Sequence, residues 1–360
     1  MTDPIETLSR RIDGRDIHRR LHVKTDGRDL FLYGYERHTQ RRVEGEDLQA
    51  VTGSELRWHP LRGEWSIYAA GRQNRTFKPS HAANPLAPSQ VGKPLTEIPF
   101  SDFELAVFSN RFPSLYPDAP QPDASPLKMH KAAGACDVIV YAPEADGSLA
   151  TLSQEKRRLL VEAWIDRYQA MFDAGCAFVL PFENRGEEVG VTLHHPHGQI
   201  YGFPIVPSPQ QRAATAFENG YDLAADVKSW GQPYWIQQAG GLVSYTPRYA
   251  RYPYEVWISA IEPVSGPWAF AEDQADGFAH LLGDTVRRYD ALFGRETPCM
   301  LSLHAAPYGH DGPFQFTAQF YPLLRAPDRV KFLASVEQAT GVFTVDVMPR
   351  QAAEQLRGVL

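Results

Sequence analysis

Cysteine is scarce in this 360-residue chain: Cys136, Cys176 and Cys299 are the only three, each far from the others. Isolated thiols build neither a disulfide framework nor a zinc knuckle, so a reducing cytoplasm is the expected setting. Long apolar runs are missing as well. No stretch approaches the roughly 18 uninterrupted apolar residues of a membrane span, and residues 1–11 lack the apolar core of a secretory signal. A positive balance is also absent: 36 Lys and Arg against 43 Asp and Glu leave a net charge of −7 and a pI near 6.0. That argues against a surface made to coat nucleic acid, while local cations can still bind a small anionic substrate. What is present is an ordinary globular composition, 43% apolar and 22% charged. The length exceeds that at which one core usually stops growing, so two domains are expected.

The first fifty residues, rich in charge and poor in apolar clusters, read as partly irregular. Strand text begins at 64–68, which alternates at period two, and continues in the apolar runs 103–109 and 137–141. A Pro/Ala/Ser-rich loop spans 78–99. Leu159, Leu160, Ala163, Trp164, Tyr168 and Met171 recur at helical spacing after Ser153, which predicts a helix over 153–172 with Ser153 as cap and Gly175 as stop. Strands at 178–182 and 199–205 bracket a Gly- and His-rich loop. The second half writes the same order again: strands near 241–246 and 255–260, a helix over about 271–293, strands near 300–304 and 314–321. A last helix is expected at 349–360. This repetition predicts a duplicated α+β unit with a mainly antiparallel sheet, divided at 1–205 and 206–360.

The chemically informative text is Phe182-Glu183-Asn184-Arg185-Gly186, then Gly190-Val191-Thr192-Leu193-His194-His195-Pro196-His197-Gly198-Gln199. In an extended His-x-His both side chains share one sheet face, so His195, His197 and Gln199 are expected side by side on one pocket. As metal ligands, His195 and His197 would need further Cys, His or carboxylate partners. As a nucleophile, one imidazole needs its Nδ1–H held by a backbone carbonyl so that Nε2 faces the substrate. Gly186, Gly190 and Gly198 favour the second reading, since glycine lets backbone N–H groups approach phosphate oxygens; Asn184 and Thr192 add side-chain donors. The plainer alternative is a surface loop with incidental histidines.

His195-Pro196-His197-Gly198-Gln199 resembles the active-site signature of galactose-1-phosphate uridylyltransferases, a branch of the histidine-triad superfamily. Arg57-Trp58-His59-Pro60-Leu61 through Trp65 is similar to the family's early strand, with Arg72 and Arg75 in its basic positions. Phe108-Ser109-Asn110-Arg111-Phe112-Pro113 is similar to the uridine-contact segment, and Leu86 also fits a pyrimidine pocket. Lys331, Phe332 and Glu337 stand where the family binds the sugar phosphate in the partner subunit's site. The resemblance runs from about residue 55 to the end. It implies two histidine-triad-like domains, each a half-barrel sheet with packed helices, and a homodimer without cofactor. It further implies transfer of UMP between UDP-glucose and galactose 1-phosphate through a uridylyl-His197, with Gln199 holding phosphoryl oxygens and His195 shaping the loop.

Departures from the family are concentrated at its metal sites. Where many members carry a Cys-x-x-Cys pair for zinc, this chain has Asn84 and Ala87, and Ala145 stands where some supply a histidine. At a second site His304 remains, but Thr317 and Gln319 replace a His-x-His, and Ala213 or a neighbour replaces a glutamate. A metal-free member is therefore expected. Phe343 stands in place of a family glutamine, which leaves the hexose open. Rival functions are a nucleoside-diphosphate-sugar or dinucleoside polyphosphate phosphorylase using the same histidine, and an inert nucleotide binder.

Overall fold

Charged residues near the N-terminus build strands, contrary to the expected irregular segment. In the computed structural model, which describes residues 3–74 and 84–360, β1 (Ile5–Ile12), β2 (Arg15–Val23) and β3 (Asp29–Gly34) form an antiparallel meander. The period-two alternation exists but is written in charged letters. Arg20 and His22 are buried on β2 and both meet the Asp3 carboxylate, at 2.7 Å and 3.1 Å. On the other face Arg10 and Arg19 reach Glu162 and Asp166 of the first long helix.

β4 (Ser54–His59) pairs with β5 (Glu64–Ala69), β6 (Leu105–Ser109) with β3, β7 (Met129–Lys131) with β4, and β8 (Ala135–Val140) with β6. Helix α1 (Gln154–Asp173) starts as expected, with Ser153 Oγ accepting from the Lys156 amide. β9 (Phe178–Arg185) and β10 (His197–Phe203) follow. No apolar stripe announces α2 (Ser208–Glu218), which buries only Ala214 and Phe217, and α3 (Leu223–Trp230) is short. The second half continues with β11 (Trp235–Ala239), β12 (Leu242–Tyr245), β13 (Val256–Ala260), α4 (Glu272–Phe293), β14 (Cys299–His304) and β15 (Thr317–Pro322). A small hairpin of β16 (Leu324–Ala326) and β17 (Arg329–Val330), then α5 (Ser335–Thr340) and α6 (Pro349–Arg357), close the chain.

Twelve strands form one sheet in the order β1-β2-β3-β6-β8-β10-β9-β14-β15-β13-β12-β11, with β4, β5 and β7 set apart as a three-stranded sheet. Every neighbouring pair in the large sheet is antiparallel. The α+β, mainly antiparallel architecture read from the sequence is what the chain adopts. The order is mirrored about the β9–β14 seam. Outward from it, β10, β8 and β6 answer β15, β13 and β12, and α1 and α4 occupy equivalent places before β9 and β14. These two helices pack on each other and on one face of the sheet, over Ile139, Val179, Ile200, Leu301, Leu303 and Phe320. Each such side chain removed from water contributes roughly 1.5–3 kcal/mol. On the opposite face Leu30, Leu32, Phe108 and Val138 pack a second, smaller cluster with Ile98, Phe100 and Phe103, and Val243 and Tyr245 pack against α2 and α3.

Candidate active site

β10 begins at His197. It pairs with β8 (His197 opposite Val140, Gln199 opposite Val138) and with β9 (Gln199 opposite Phe182). Strand alternation sends Ile200 into the helix-covered core and places His197 and Gln199 on the other face. Gly198 is required by close approach. A Cβ there would lie 2.6 Å from the Tyr141 hydroxyl and 2.9 Å from the Phe182 carbonyl. The missing Cβ lets the strand lie on Tyr141. Beneath it the Tyr141 hydroxyl donates to Glu183 at 2.8 Å, and burial pushes the Glu183 carboxyl up to about 7.

His195 does not stand beside His197, as the period-two reading expected. It precedes the strand, and its ring is 2% exposed, lodged between Ala142 O at 2.7 Å and Asn84 Nδ2 at 3.0 Å. Burial lowers its pKa, which keeps the ring neutral. Its carbonyl lies 2.7 Å from His197 Nδ1. A carbonyl can only accept, so the His197 proton sits on Nδ1 and Nε2 is the basic nitrogen.

His197 and Gln199 line a pocket of about 560 Å³ together with Leu86, Asn110, Arg111 and Thr192, all expected at the site. Besides Leu86, the loop near residues 85–97 supplies wall residues that the sequence does not announce, including Pro85, Lys93, Thr96 and Glu97. Behind it Glu97 accepts from Lys24 at 2.7 Å and from Arg28 at 2.9 Å, with Lys24 lying 4.7 Å from the Phe108 ring centroid. Burial lowers the Lys24 pKa. A buried lysine at the end of β2, four strands from β10, carries no local pattern; only Asp26-Gly27-Arg28, a turn signal, marks the place.

Other expected residues lie elsewhere. Arg72 donates to the Phe112 carbonyl at 2.8 Å, bracing the segment that carries Asn110 and Arg111 without lining the pocket. Arg75 falls outside the described residues. Asn184 lies on β9 two residues beyond Phe182, on the face that bears Gln199, yet is not part of the pocket wall. Gly186, at φ +98°, and Gly190, at φ +79°, bracket the short turn Glu187–Val189 rather than the pocket. Lys331 and Glu337 are joined to each other at 2.6 Å. Hydrogen bonds from Lys331 and from the Ala334 and Thr344 amides hold the Glu337 carboxyl down to about 2. Neither lines the pocket of its own chain, and Phe332 beside them is 78% exposed. Phe343 packs 5.9 Å from Tyr252, with the Arg251 guanidinium 5.0 Å from its ring centroid.

The donors near His195 do not fit zinc: a carboxamide, an alanine and an imidazole whose two nitrogens are already hydrogen-bonded. Among the described residues no three His, Cys, Asp or Glu side chains gather in a metal-holding group. In the second half, β14 and β15 repeat the arrangement of β9 and β10. Gln199, Phe182, Ser302 and Gln319 follow one another across the sheet in one row. There His304 bonds Ser302 Oγ at 2.8 Å, and Gln319 donates to Thr317 at 2.9 Å. Burial lowers the His304 pKa to about 4.

Residues 44–207 match the family model of the galactose-1-phosphate uridyl transferase N-terminal domain. A galactose-1-phosphate uridylyltransferase of Thermotoga maritima is 33% identical over 316 residues, covering 84% of this chain and 98% of that protein. One from Streptomyces lividans is 30% identical over 359 residues, covering 93% and 96%. A solved uridylyltransferase superposes with a TM-score of 0.74 at 24% identity, over 85% of this chain and 98% of the other. An ADP-glucose phosphorylase from Arabidopsis thaliana with bound ADP-glucose gives 0.65 at 20% identity, over 86% and 100%. At those identities the structural likeness speaks to the fold.

Proposed function

Because the chain belongs to the galactose-1-phosphate uridylyltransferase family, we propose that it moves UMP between UDP-glucose and galactose 1-phosphate by double displacement. His197 Nε2 attacks the α-phosphorus of UDP-glucose; an N–P bond forms, the bridging P–O bond breaks, and glucose 1-phosphate leaves. A phosphate oxygen of galactose 1-phosphate then attacks the uridylyl-His197, the N–P bond breaks, and UDP-galactose departs. The observation that carries this reading is the 2.7 Å contact between His197 Nδ1 and His195 O at the pocket wall. It orients the ring and supports the imidazolium-like charge that grows as Nε2 bonds phosphorus. Gln199 and Thr192 donate to the phosphoryl oxygens, Arg111 adds positive charge, and Leu86 and Asn110 face the base. A neutral amide at Gln199 holds the phosphoryl group without acting as acid or base toward water.

The same reading makes the molecule a cytoplasmic, metal-free homodimer in which Lys331 and Glu337 complete the partner's site. It keeps 1–205 and 206–360 as its two units, which the mirrored strand order supports. Among the described residues no helix is long and apolar enough to cross a membrane.

The test is exchange of labelled glucose 1-phosphate into UDP-glucose, a half-reaction that needs no second sugar. His197→Gly is expected to abolish it, because the bond-forming step has no substitute, and His195→Asn to weaken it less. Exchange near wild-type rate in His197→Gly, with loss in His195→Asn, would move the nucleophile to the wrong histidine for this reading.

A further inference from the structure

A carboxamide in the pocket wall, Asn84, helps to hold the loop that presents His197. His195 Nε2 faces the Ala142 carbonyl at 2.7 Å, so Nε2 carries the ring proton and Nδ1 is an acceptor. The atom 3.0 Å from Nδ1 is Asn84 Nδ2, and Asn84 Oδ1 accepts from the Leu86 amide, also at 3.0 Å. The two contacts independently require the same orientation of the Asn84 amide. One side chain thus grips both the buried histidine whose carbonyl holds His197 and the backbone of Leu86 in the pocket wall.

We propose that Asn84 is a positioning residue for His197. Its NH₂ group fixes the His195 ring and so aims the His195 carbonyl at His197 Nδ1, while its oxygen ties Leu86 to the same frame. The inference rests on the reading of His197 as nucleophile. It also says what stands in place of a metal clamp where the donors do not fit zinc. Asn84 brings a donor and an acceptor on one rigid plane, and both are used. Aspartate would keep the acceptor for Leu86 and lose the donor for His195; alanine would lose both.

Two readouts on the full-length protein test this. The first is the nitrogen-15 spectrum of its imidazoles without substrate. Wild type is expected to show His195 protonated at Nε2 and His197 at Nδ1, and Asn84→Asp is expected to move the His195 signals off that pattern. The second is single-turnover transfer from UDP-glucose. Asn84→Asp is expected to lower the rate constant about ten- to a hundred-fold by misaiming the nucleophile. The loss is expected to persist at saturating UDP-glucose in both Asn84→Asp and Asn84→Ala, because it comes from the aim of His197 and not from binding alone. Asn84→Asp reacting at the wild-type rate with unaltered imidazole signals overturns the proposal. So do equal rate losses in both variants with His195 signals unchanged, since Asn84 would then only shape its turn. If wild type takes up no UMP, the nucleophile reading fails, and the spectrum of Asn84→Asp still decides whether the carboxamide holds His195.

Discussion

Glu183 and Tyr141 form a buried pair directly behind β10, and that pair has a pH signature. The folded protein holds the Glu183 carboxyl near 7, against about 4.5 in the unfolded chain. Below about 4.5 both states carry the proton and the contribution is complete. As pH rises towards 7 only the unfolded chain gives the proton up, so the native state weakens. Glu183→Gln keeps an acceptor for the Tyr141 hydroxyl and cannot ionise. Urea melts from pH 4.5 to 7.5 are expected to show wild type losing about 3 kcal/mol relative to Glu183→Gln across that range. Parallel curves would contradict the assignment. At this scale the pocket residues His197 and Gln199 are legible because they sit on a strand, where alternation is a reliable guide. His195 was misplaced because strand geometry starts only at His197, and Lys24 and Glu97 were invisible because their partnership spans 73 residues of sequence.

Helix α1 is bound to the N-terminal strands by charge as well as by apolar contact. Glu162, 1% exposed, accepts from Arg10 at 2.9 Å and from Arg158, itself 2% exposed and paired with Asp276. Removing the carboxylate takes the shared anion from two cations at the seam between β1 and α1, leaving Arg158 with Asp276 and Arg10 with the Phe270 carbonyl. Glu162→Ala is expected to cost about 3–5 kcal/mol in guanidinium melts at pH 7. A loss under about 1 kcal/mol would mean that solvent or Asp276 compensates. These ion pairs also explain what could be read of the elements. α1 and α4 present apolar residues at helical spacing beside an N-cap or a terminal glycine, and both were found within a residue or two. β1 and β2 hid their alternation because Arg20 and His22 fill buried positions, a pattern intelligible only once Asp3 is in place. α2 hid because a helix that buries two side chains leaves almost no stripe.

The molecule as a whole exposes Phe332, Leu333, Val336 and Val342 on the short segment that carries Lys331 and Glu337. Clustered exposed apolar side chains suit an interface better than single ones do. Under the proposed function the segment seats on a second copy, bringing Lys331 and Glu337 to that copy's pocket. Sedimentation velocity is expected to give a dimer, and Phe332→Asp a monomer with exchange reduced about a hundred-fold by the misplaced sugar phosphate. A fully active monomer would exclude the shared site. The duplicated antiparallel plan was legible in the order of elements, but its fusion into one sheet was not, because the β9–β14 pairing joins strands more than a hundred residues apart.

The mirrored seam has a consequence for stoichiometry. In the row that crosses it, Gln199 has a counterpart in Gln319, but the residue two places earlier is His197 on one side and Thr317 on the other. A threonine hydroxyl has no nitrogen lone pair with which to hold a nucleotidyl group in transit. Under the proposed function, two copies of one architecture therefore yield a single covalent load per chain: the first half would carry cargo, and the second, where Gln319 donates to Thr317 and His304 bonds Ser302, would carry none.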